Sequence, residues 1–237
     1  MYRISDGRVD KGGVTLPDFP KRFLRFIPLE NKYRVSMTEE GNSVANMMCL
    51  MTSRIEAIAK GIDKEQIASF VHAILSANRI YVMGAGRSGL VAKSFAMRLM
   101  HTGFVSYVVG ETITPAIAEG DLIVAFSGSG NTKTIGDIAE TAKGIGATVA
   151  LVSSNPESRI GRIADYVIKV ETQRDPVTCD AHEYEIRQML GEHRSFAPLG
   201  TIFETTSLIF SDAVISTIMN MRQIEESELQ KRHTNIE

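Results

Sequence analysis

Short apolar runs alternate with amphipathic segments through the middle of this chain. The runs have the length of buried strands, and the segments between them repeat apolar residues with the period of a helix. In chain order they predict strand 79–84, helix 88–101, strand 104–109, strand 121–127, helix 132–145, strand 147–153, a short helix 156–163 and strand 165–170. Strands that alternate with helices in this way form a parallel sheet covered on both faces. The pattern therefore predicts an α/β fold.

An earlier segment, residues 44–59, carries apolar residues around too much of its circumference for a helix with one face in water. These residues are Val44, Met47, Met48, Leu50, Met51, Ile55 and Ile58. Two interpretations stay open. The segment is either a core helix of one subunit or part of an oligomer interface, a role that methionine-rich surfaces suit well.

The composition narrows the class of protein. The chain has 237 residues, 43% of them hydrophobic, and a net charge of -2. It can therefore bury a full α/β core, and it has no basic excess of the kind that binds nucleic acid. No apolar run approaches the roughly 18 residues of a membrane span. Cys49 and Cys179 form neither a metal-ligand spacing nor a disulfide framework. We expect a cytoplasmic protein that binds neither nucleic acid nor membrane.

The N-terminal segment differs from the rest in charge. Residues 1–36 contain eight Lys or Arg and four Asp or Glu, and three prolines interrupt any helix. The segment lacks the apolar centre of a secretory signal, and Met37 directly precedes a helical pattern. We expect residues 1–40 to be a dispensable extension and residues 41–237 to form one domain.

Two turns rich in glycine and hydroxyl residues follow two of the predicted strands. The first, residues 84–89, contains Arg87 and Ser88. The second turn consists of Ser127, Gly128, Ser129, Gly130, Asn131 and Thr132. Glycines let backbone N–H groups point inward, hydroxyls add donors, and the helix that follows favours an anion at its N-terminus. Because parallel strands end at one edge of the sheet, the pair predicts a phosphorylated small ligand. Alternatively, the hydroxyls of the second turn simply cap the helix.

The first turn also has the spacing G-x-G-x-x-G, and Glu111 follows it by roughly twenty-five residues, as in a dinucleotide-binding fingerprint. Glu111, however, lies in a polar turn beyond the next strand, and a nicotinamide cofactor would leave the second turn without a role. The phosphate-ligand interpretation accounts for both turns.

Taken together, several segments resemble the sugar isomerase (SIS) domain family, and within it the 6-phospho-3-hexuloisomerases. They are the two turns and residues 92–101, 110–112, 198–204, 201–219 and 231–235. The resemblance runs from about residue 41 to the C-terminus. It implies a flavodoxin-like three-layer αβα sandwich with a five-stranded parallel sheet, a homotetramer, and no cofactor or metal. It also implies interconversion of 3-hexulose 6-phosphate and fructose 6-phosphate.

The same resemblance implies roles for individual residues. Ser88 would contact the substrate, residues 127–132 would hold its phosphate, and Glu204 would accept the proton. One carboxylate can serve both proton transfers, since the carbonyl moves from C3 to C2 through a cis-enediol(ate). His233 is a candidate for moving protons between the substrate oxygens, from a neighbouring subunit if the tail reaches there. Arg87 would pair with a phosphate or a carboxylate, or clamp subunits together.

Some alternatives remain. Residues 201–204 also fit a capping box, in which Glu204 would reach back to the backbone of Thr201. His101 is expected to pack at a helix end, and Arg98 to serve packing or an intersubunit salt bridge. A substrate such as arabinose 5-phosphate, or a non-catalytic phosphosugar sensor, would fit the same two turns.

Two features depart from the family pattern. Asn131 occupies a position that is commonly charged in relatives. Residues 171–197 form a polar insertion, which would either line or cover the site or be a solvated loop with a short helix near residues 183–190.

Overall fold

The computed structural model describes residues 37–170 and 200–236. The predicted N-terminal extension, residues 1–36, and the polar insertion, residues 171–197, lie outside the described residues, as does Cys179. The chain divides into two units, Met1–Ser43 and Val44–Glu237, and the second contains the whole sheet.

Five strands form one parallel sheet, in the order β2-β1-β3-β4-β5. They are β1 (Ile80–Gly84), β2 (Ser106–Val108), β3 (Leu122–Phe126), β4 (Thr148–Ser153) and β5 (Tyr166–Lys169). This is the flavodoxin-like order of a doubly wound sheet. The predicted strands are thus confirmed, each shorter at its ends than the apolar run that predicted it.

Six helices are described. They are α1 (Met37–Gly61), α2 (Lys64–Ser76), α3 (Arg87–His101), α4 (Lys133–Ile145), α5 (Thr201–Arg222) and α6 (Glu226–Arg232). Alternate strand residues point to opposite faces of the sheet. On one face Val82, Val124 and Val152 join a core with α2, α3 and α5. On the other, Ile123 and Leu151 pack against α4. The three-layer αβα sandwich is confirmed.

The predicted helix 156–163 is wrong: this segment consists of turns. Arg162 N donates to Ser158 O at 3.0 Å and Ala164 N donates to Ile160 O at 3.0 Å, but the bonds do not continue into a helix. At Gly161 the backbone approaches the carbonyl of Pro156 too closely for a side chain. The local composition therefore favours tight turns over a regular helix.

The prediction that no segment reaches the length and apolarity of a membrane span also needs correction. By length and composition alone, α5 is one such helix among the described residues. In the structure Phe203, Phe210, Val214 and Ile218 of α5 are buried in the core of the domain. Its apolarity therefore serves packing against α3 and the sheet.

Only the last part of α1 packs in a single chain. Ile55 and Ile58 are buried, whereas Val44 and Met48 are more than half exposed, at 62% and 63%. One subunit thus leaves the first part of this apolar helix uncovered, so it is not a core helix along its whole length.

Candidate functional site

The two glycine turns lie side by side at the carboxyl edge of the sheet. β1 and β3 are neighbours, and their register pairs Gly84, the last residue of β1, with Phe126, the last residue of β3. The strand order reverses here, because β1 lies between β2 and β3. Ligands of doubly wound proteins bind at this switch point.

The glycines of the β1 turn, residues 84–89, allow strand and helix to approach closely. A methyl group added at Gly84 would lie 2.7 Å from the carbonyl carbon of Ser88, and one at Gly89 would lie 2.7 Å from Gly84 O. Gly86 has a φ of 58°, which favours glycine. The spacing G-x-G-x-x-G is therefore explained by the packing of β1 on α3, without a nucleotide.

The β3 turn, residues 127–132, is held by its own hydrogen bonds. Gly130 N donates to Ser127 O at 3.0 Å and to Ser127 Oγ at 3.1 Å. Ser127 Oγ also lies 3.3 Å from Thr132 Oγ1. Ser127 is buried and Ser129 is exposed, so one serine supports the turn while the other faces solvent.

α4 follows the β3 turn directly, and its N-terminus has no side-chain cap. Thr132 is the N-cap residue, but its hydroxyl makes no capping hydrogen bond. By contrast, Asp63 Oδ1 caps α2 by accepting from Glu65 N at 2.8 Å and Gln66 N at 3.1 Å. The interpretation of the turn hydroxyls as helix caps is thus wrong for Thr132. The first-turn N–H groups of α4 remain suited to an anion.

A carboxylate lies beside these turns. Arg87 Nε lies 2.6 Å from Glu204 Oε2, and Arg87 Nη1 donates to Thr201 Oγ1 at 3.4 Å. The Glu204 side chain is 13% exposed and that of Arg87 is 56% exposed. Glu204 Oε2 has no hydrogen-bond partner among the described residues, so the ion pair is close but not aligned as a hydrogen bond. A nearly buried carboxylate therefore faces a cation that is more than half exposed.

The first turn of α5 places Phe203 against the β3 turn and Glu204 beside Arg87 of the β1 turn. The N-cap of α5 is Gly200, at a φ of 83°, and the helix has no side-chain cap. The carboxylate folds over Gly200, where an added methyl group would lie 2.9 Å from Glu204 Oε1. Phe203 packs against Gly128, at 3.3 Å from a methyl group added there. The capping-box interpretation is wrong, since Thr201 is inside the helix and Glu204 pairs with Arg87.

Comparison with known proteins decides the family. Residues 73–181 match the SIS domain. A 3-hexulose-6-phosphate isomerase of Bacillus subtilis is 41% identical over 74% of this chain and 89% of its own length. The chain belongs to the SIS domain family.

Two further relatives extend this result. A protein of Aeropyrum pernix is 49% identical over 74% of this chain and 84% of its own length. A crystal structure from Methanococcus jannaschii, for which a molecular function of 3-hexulose-6-phosphate isomerase was inferred, has 34% identity and a TM-score of 0.65. It covers 84% of this chain, which in turn covers 99% of it.

In this SIS domain both polar atoms of the Asn131 side chain contact protein groups. Nδ2 donates to Ser129 O at 3.2 Å, and Oδ1 accepts from Arg159 N at 2.9 Å. Asn131 thereby joins the β3 turn to the turns that follow β4. Its contact with substrate stays a prediction, as does that of the half-buried Ser88.

His233 is not brought to this site within one chain. Its ring stacks on His101 at 5.2 Å between centroids, and Arg232 Nη1 donates to His101 O at 3.1 Å. His101 ends α3 and Arg87 begins it, so about 20 Å of helix separates His233 from the ion pair. His101 is buried at the helix end, which confirms its predicted packing role. Burial lowers the pKa of His101, and the charges of His233 and Arg98 lower it further.

Two other charged residues also have partners within the chain. Lys93 Nζ lies 2.5 Å from Glu111 Oε1, so the acidic residue of the nucleotide fingerprint is engaged by α3. Arg98 Nε lies 3.7 Å from Asp212 Oδ1, an ion pair inside one subunit. Among the described residues no group of three or more His, Cys, Asp or Glu is placed to hold a metal.

Proposed function

We propose that this SIS domain protein is a phosphosugar isomerase that interconverts D-arabino-3-hexulose 6-phosphate and fructose 6-phosphate. One observation carries the proposal: Glu204 is nearly buried and pairs with Arg87, and the residue before it, Phe203, packs on Gly128 of the turn that leads into the uncapped N-terminus of α4. A base next to an anion site is the arrangement that a sugar-phosphate isomerase requires. The relatives named 3-hexulose-6-phosphate isomerase support the choice of sugar.

The β3 turn would bind the phosphate. Ser129 and Thr132 offer hydroxyls, and the first turn of α4 offers N–H groups and the positive end of the helix dipole. With the phosphate held there, the sugar chain would extend along the edge of the sheet toward the β1 turn and Glu204. Ser88, on the first turn of α3, would contact the sugar hydroxyls.

Glu204 would perform both proton transfers at carbon. It removes the proton from C2 of the 3-ketose, and the electron pair of that bond forms a C2–C3 double bond while O3 becomes the oxyanion. The proton of O2 moves to O3, and Glu204 returns its proton to C3 as the carbonyl forms at C2. C2 is oxidised and C3 is reduced, so the step needs no external oxidant or reductant.

Arg87 would change partners during this cycle. In the ligand-free protein its guanidinium pairs with Glu204, and its exposure leaves it free to swing toward a bound ligand. A developing enediolate oxyanion offers it a second anion in the same place. Stabilising that charge while releasing the carboxylate lowers the barrier more than either effect alone.

We also propose a cytoplasmic homotetramer. The exposed apolar residues of α1 and α3 supply a surface that a second copy can cover; they are Val44, Met48, Leu90, Met97 and Met100. Since His233 is remote from Glu204 within one chain, it could act only in the site of a neighbour. Residues 1–40 are proposed to be dispensable for folding and activity.

The test is an isomerase assay on a panel of sugar phosphates. We expect purified protein to form fructose 6-phosphate from the 3-ketose, and Glu204→Gln to lower kcat at least about a hundredfold while still binding substrate in calorimetry. Glu111→Gln is the matched control, because that carboxylate lies on the same side of the sheet but pairs with Lys93.

Other outcomes separate the alternatives. Turnover of arabinose 5-phosphate in place of the 3-ketose would change the substrate. Tight binding of a sugar phosphate without turnover of any would make the protein a sensor. A fully active Glu204→Gln variant would remove Glu204 from the mechanism.

A further inference from the structure

Arg159 connects three parts of the molecule from a position outside the proposed site. Its backbone N donates to Asn131 Oδ1 at 2.9 Å. Its guanidinium lies on α4, where Nε and Nη2 donate to the two carboxylate oxygens of Glu140, both at 2.7 Å, and Nη2 also donates to Asp137 Oδ1 at 2.7 Å. One residue therefore ties the turns after β4 to both the β3 turn and α4.

α4 is shaped to receive this guanidinium. A methyl group added at Gly136 would lie 2.9 Å from Arg159 Nη1 and 3.1 Å from its Cζ. Gly136 is buried and is the fourth residue of α4, a position inside the helix where glycine is a poor helix former. Because Gly136 has no side chain, the guanidinium of Arg159 lies directly against the surface of α4.

The contacts on α4 differ from an ordinary surface salt bridge. Two parallel N–H···O bonds to one carboxylate fix the guanidinium in orientation as well as in position. Without Arg159, Asp137 and Glu140 would be two like charges three residues apart on one helix face, which repel. The hydrogen bonds that Arg159 donates to Glu140 and Asp137 raise the pKa of Arg159 further above its ordinary value, as expected for a guanidinium held by two anions.

The residues on either side of Arg159 contact the β3 turn at Gly130. Ile160 N donates to Gly130 O at 3.1 Å. Gly130 lies directly on the side chain of Ser158, so closely that a methyl group there would overlap it. The segment 158–160 thus contacts the turn at Gly130 and Asn131, and the Arg159 side chain anchors that segment to α4.

We propose that Arg159 is a positioning residue of the phosphate site. It would not touch the ligand. It would hold the β3 turn and the first turn of α4 in one fixed relation, so that their hydroxyl and N–H donors converge on one anion. This inference rests on the proposed function of the β3 turn as the phosphate-binding element.

The experiment compares Arg159→Gln with Arg162→Gln. The control residue lies in the same turns, but among the described residues its guanidinium donates to a backbone carbonyl, that of Glu157, and not to α4. We expect Arg159→Gln to raise KM for the sugar phosphate about tenfold and to raise the inhibition constant of inorganic phosphate in parallel, with kcat within about twofold. Arg162→Gln should leave all three values unchanged.

Two further variants separate positioning from loss of folding. Gly136→Ala keeps Arg159 but forces its guanidinium to shift, and should raise KM in the same direction by a smaller factor. Arg159→Lys keeps the charge but loses the two-pronged contact, and should fall between wild type and Arg159→Gln. An Arg159→Gln variant that fails to fold would leave Gly136→Ala and Arg159→Lys to decide.

The inference and the proposed function fail in different ways. If the wild type isomerises the sugar phosphate but KM and phosphate inhibition do not change in the Arg159 and Gly136 variants, the positioning role is overturned and the function stands. If the wild type isomerises no sugar phosphate, the function fails. Calorimetry with inorganic phosphate then tests Arg159 alone, and equal affinity in wild type and variants overturns it.

Discussion

The two glycine turns at the carboxyl edge of the sheet are built by different means. The β3 turn is closed by side-chain and backbone hydrogen bonds around Ser127 and is supported at Gly130 and Asn131 by the segment 158–160. The β1 turn depends on bare backbone packing, with Gly84 and Gly89 in contact across the start of α3. The β3 turn is thus held by a hydrogen-bond network, whereas the β1 turn is held by close backbone packing that its glycines allow.

Their functional groups differ in the same way. The donors of the β3 turn lie on a rigid frame, which suits an anion that must be bound in one place. Arg87, in the β1 turn, extends into solvent and contacts Glu204 from a different part of the chain. The donors of the β3 turn are thus fixed by hydrogen bonds, whereas the charge of the β1 turn lies on an exposed side chain.

The largest effect should come from adding a methyl group to the β1 turn, and the same addition to the β3 turn is the comparison. Gly84→Ala would collide with the backbone of Ser88 and Gly89, so α3 itself must shift, and we expect kcat/KM to fall at least about a hundredfold. Gly130→Ala would collide with the Ser158 side chain and also strain a φ of 63°. We expect about a tenfold loss there, measured in the same isomerase assay.

A second substitution distinguishes the two collisions. Ser158→Gly removes the side chain that Gly130→Ala would meet, and should restore part of the lost activity in the double variant. No side-chain deletion can relieve Gly84→Ala, because its collisions are with backbone atoms. Equal rescue of both variants by Ser158→Gly would contradict the distinction between the turns.

The next largest effect concerns the charge of the β1 turn. Arg87→Gln should lower kcat roughly 10- to 100-fold, since it removes the cation offered to the oxyanion. The inhibition constant of inorganic phosphate should stay within about twofold, because phosphate is proposed to bind at the β3 turn and not at Arg87. Lys93→Gln is the control on the same helix, since the ion pair it breaks within the described part of the chain is the one with Glu111.

A parallel rise in the phosphate inhibition constant of Arg87→Gln would place Arg87 on the phosphate. That result would contradict the proposal that the two turns have separate roles.

Much of this arrangement is predictable from local sequence, and the failures share one cause. The strands follow from apolar runs, and the proposal of an anion site follows from the residue types of residues 127–132. The strand order came only with the resemblance to the SIS family. The sequence does not predict the pairing of Arg87 with Glu204, because periodicity carries no information about which distant elements meet.

Arg159 was missed for a related reason. The segment around it was predicted to be a helix, and its partners lie on α4. A signal was nevertheless present, since Gly136 interrupts a predicted helix directly before two acidic residues, Asp137 and Glu140. A glycine inside a helical pattern usually has a packing reason. With carboxylates on the same helix face, the expected packing partner is a cation from another segment.

A smaller effect is expected at the N-terminus of α2, which has a side-chain cap, unlike that of α4. Asp63→Ala removes both capping bonds of α2 and should cost about 1 kcal/mol of unfolding free energy. That loss lowers Tm by roughly 2–4 °C in a chain of this size. Calorimetric unfolding checks the change, and the isomerase assay should show no loss of activity. A fall in kcat/KM would mean that α2 influences the site.

The smallest effect lies at the other end of α3, away from both turns. The pKa of His101 is below its ordinary value of 6.5, because of burial and then the charges of His233 and Arg98. The unfolded chain therefore binds more protons than the folded one just below pH 6.5, so stability is complete above that pH and falls as the pH decreases. The adjacent Arg232, which donates to the His101 carbonyl and pairs with Glu228, adds positive charge beside the ring.

Thermal unfolding near pH 7.5 and near pH 5.5 measures this contribution. The wild type should lose about 2 °C more in Tm on acidification than His101→Gln does. His72→Gln, at an exposed position on α2, should behave like the wild type. Kinetics at both pH values then show whether the stacked histidines only anchor the C-terminal segment. If kcat/KM of His101→Gln also loses the pH dependence of the wild type, the two ends of α3 are coupled, and the β1 turn responds to more than its own glycines.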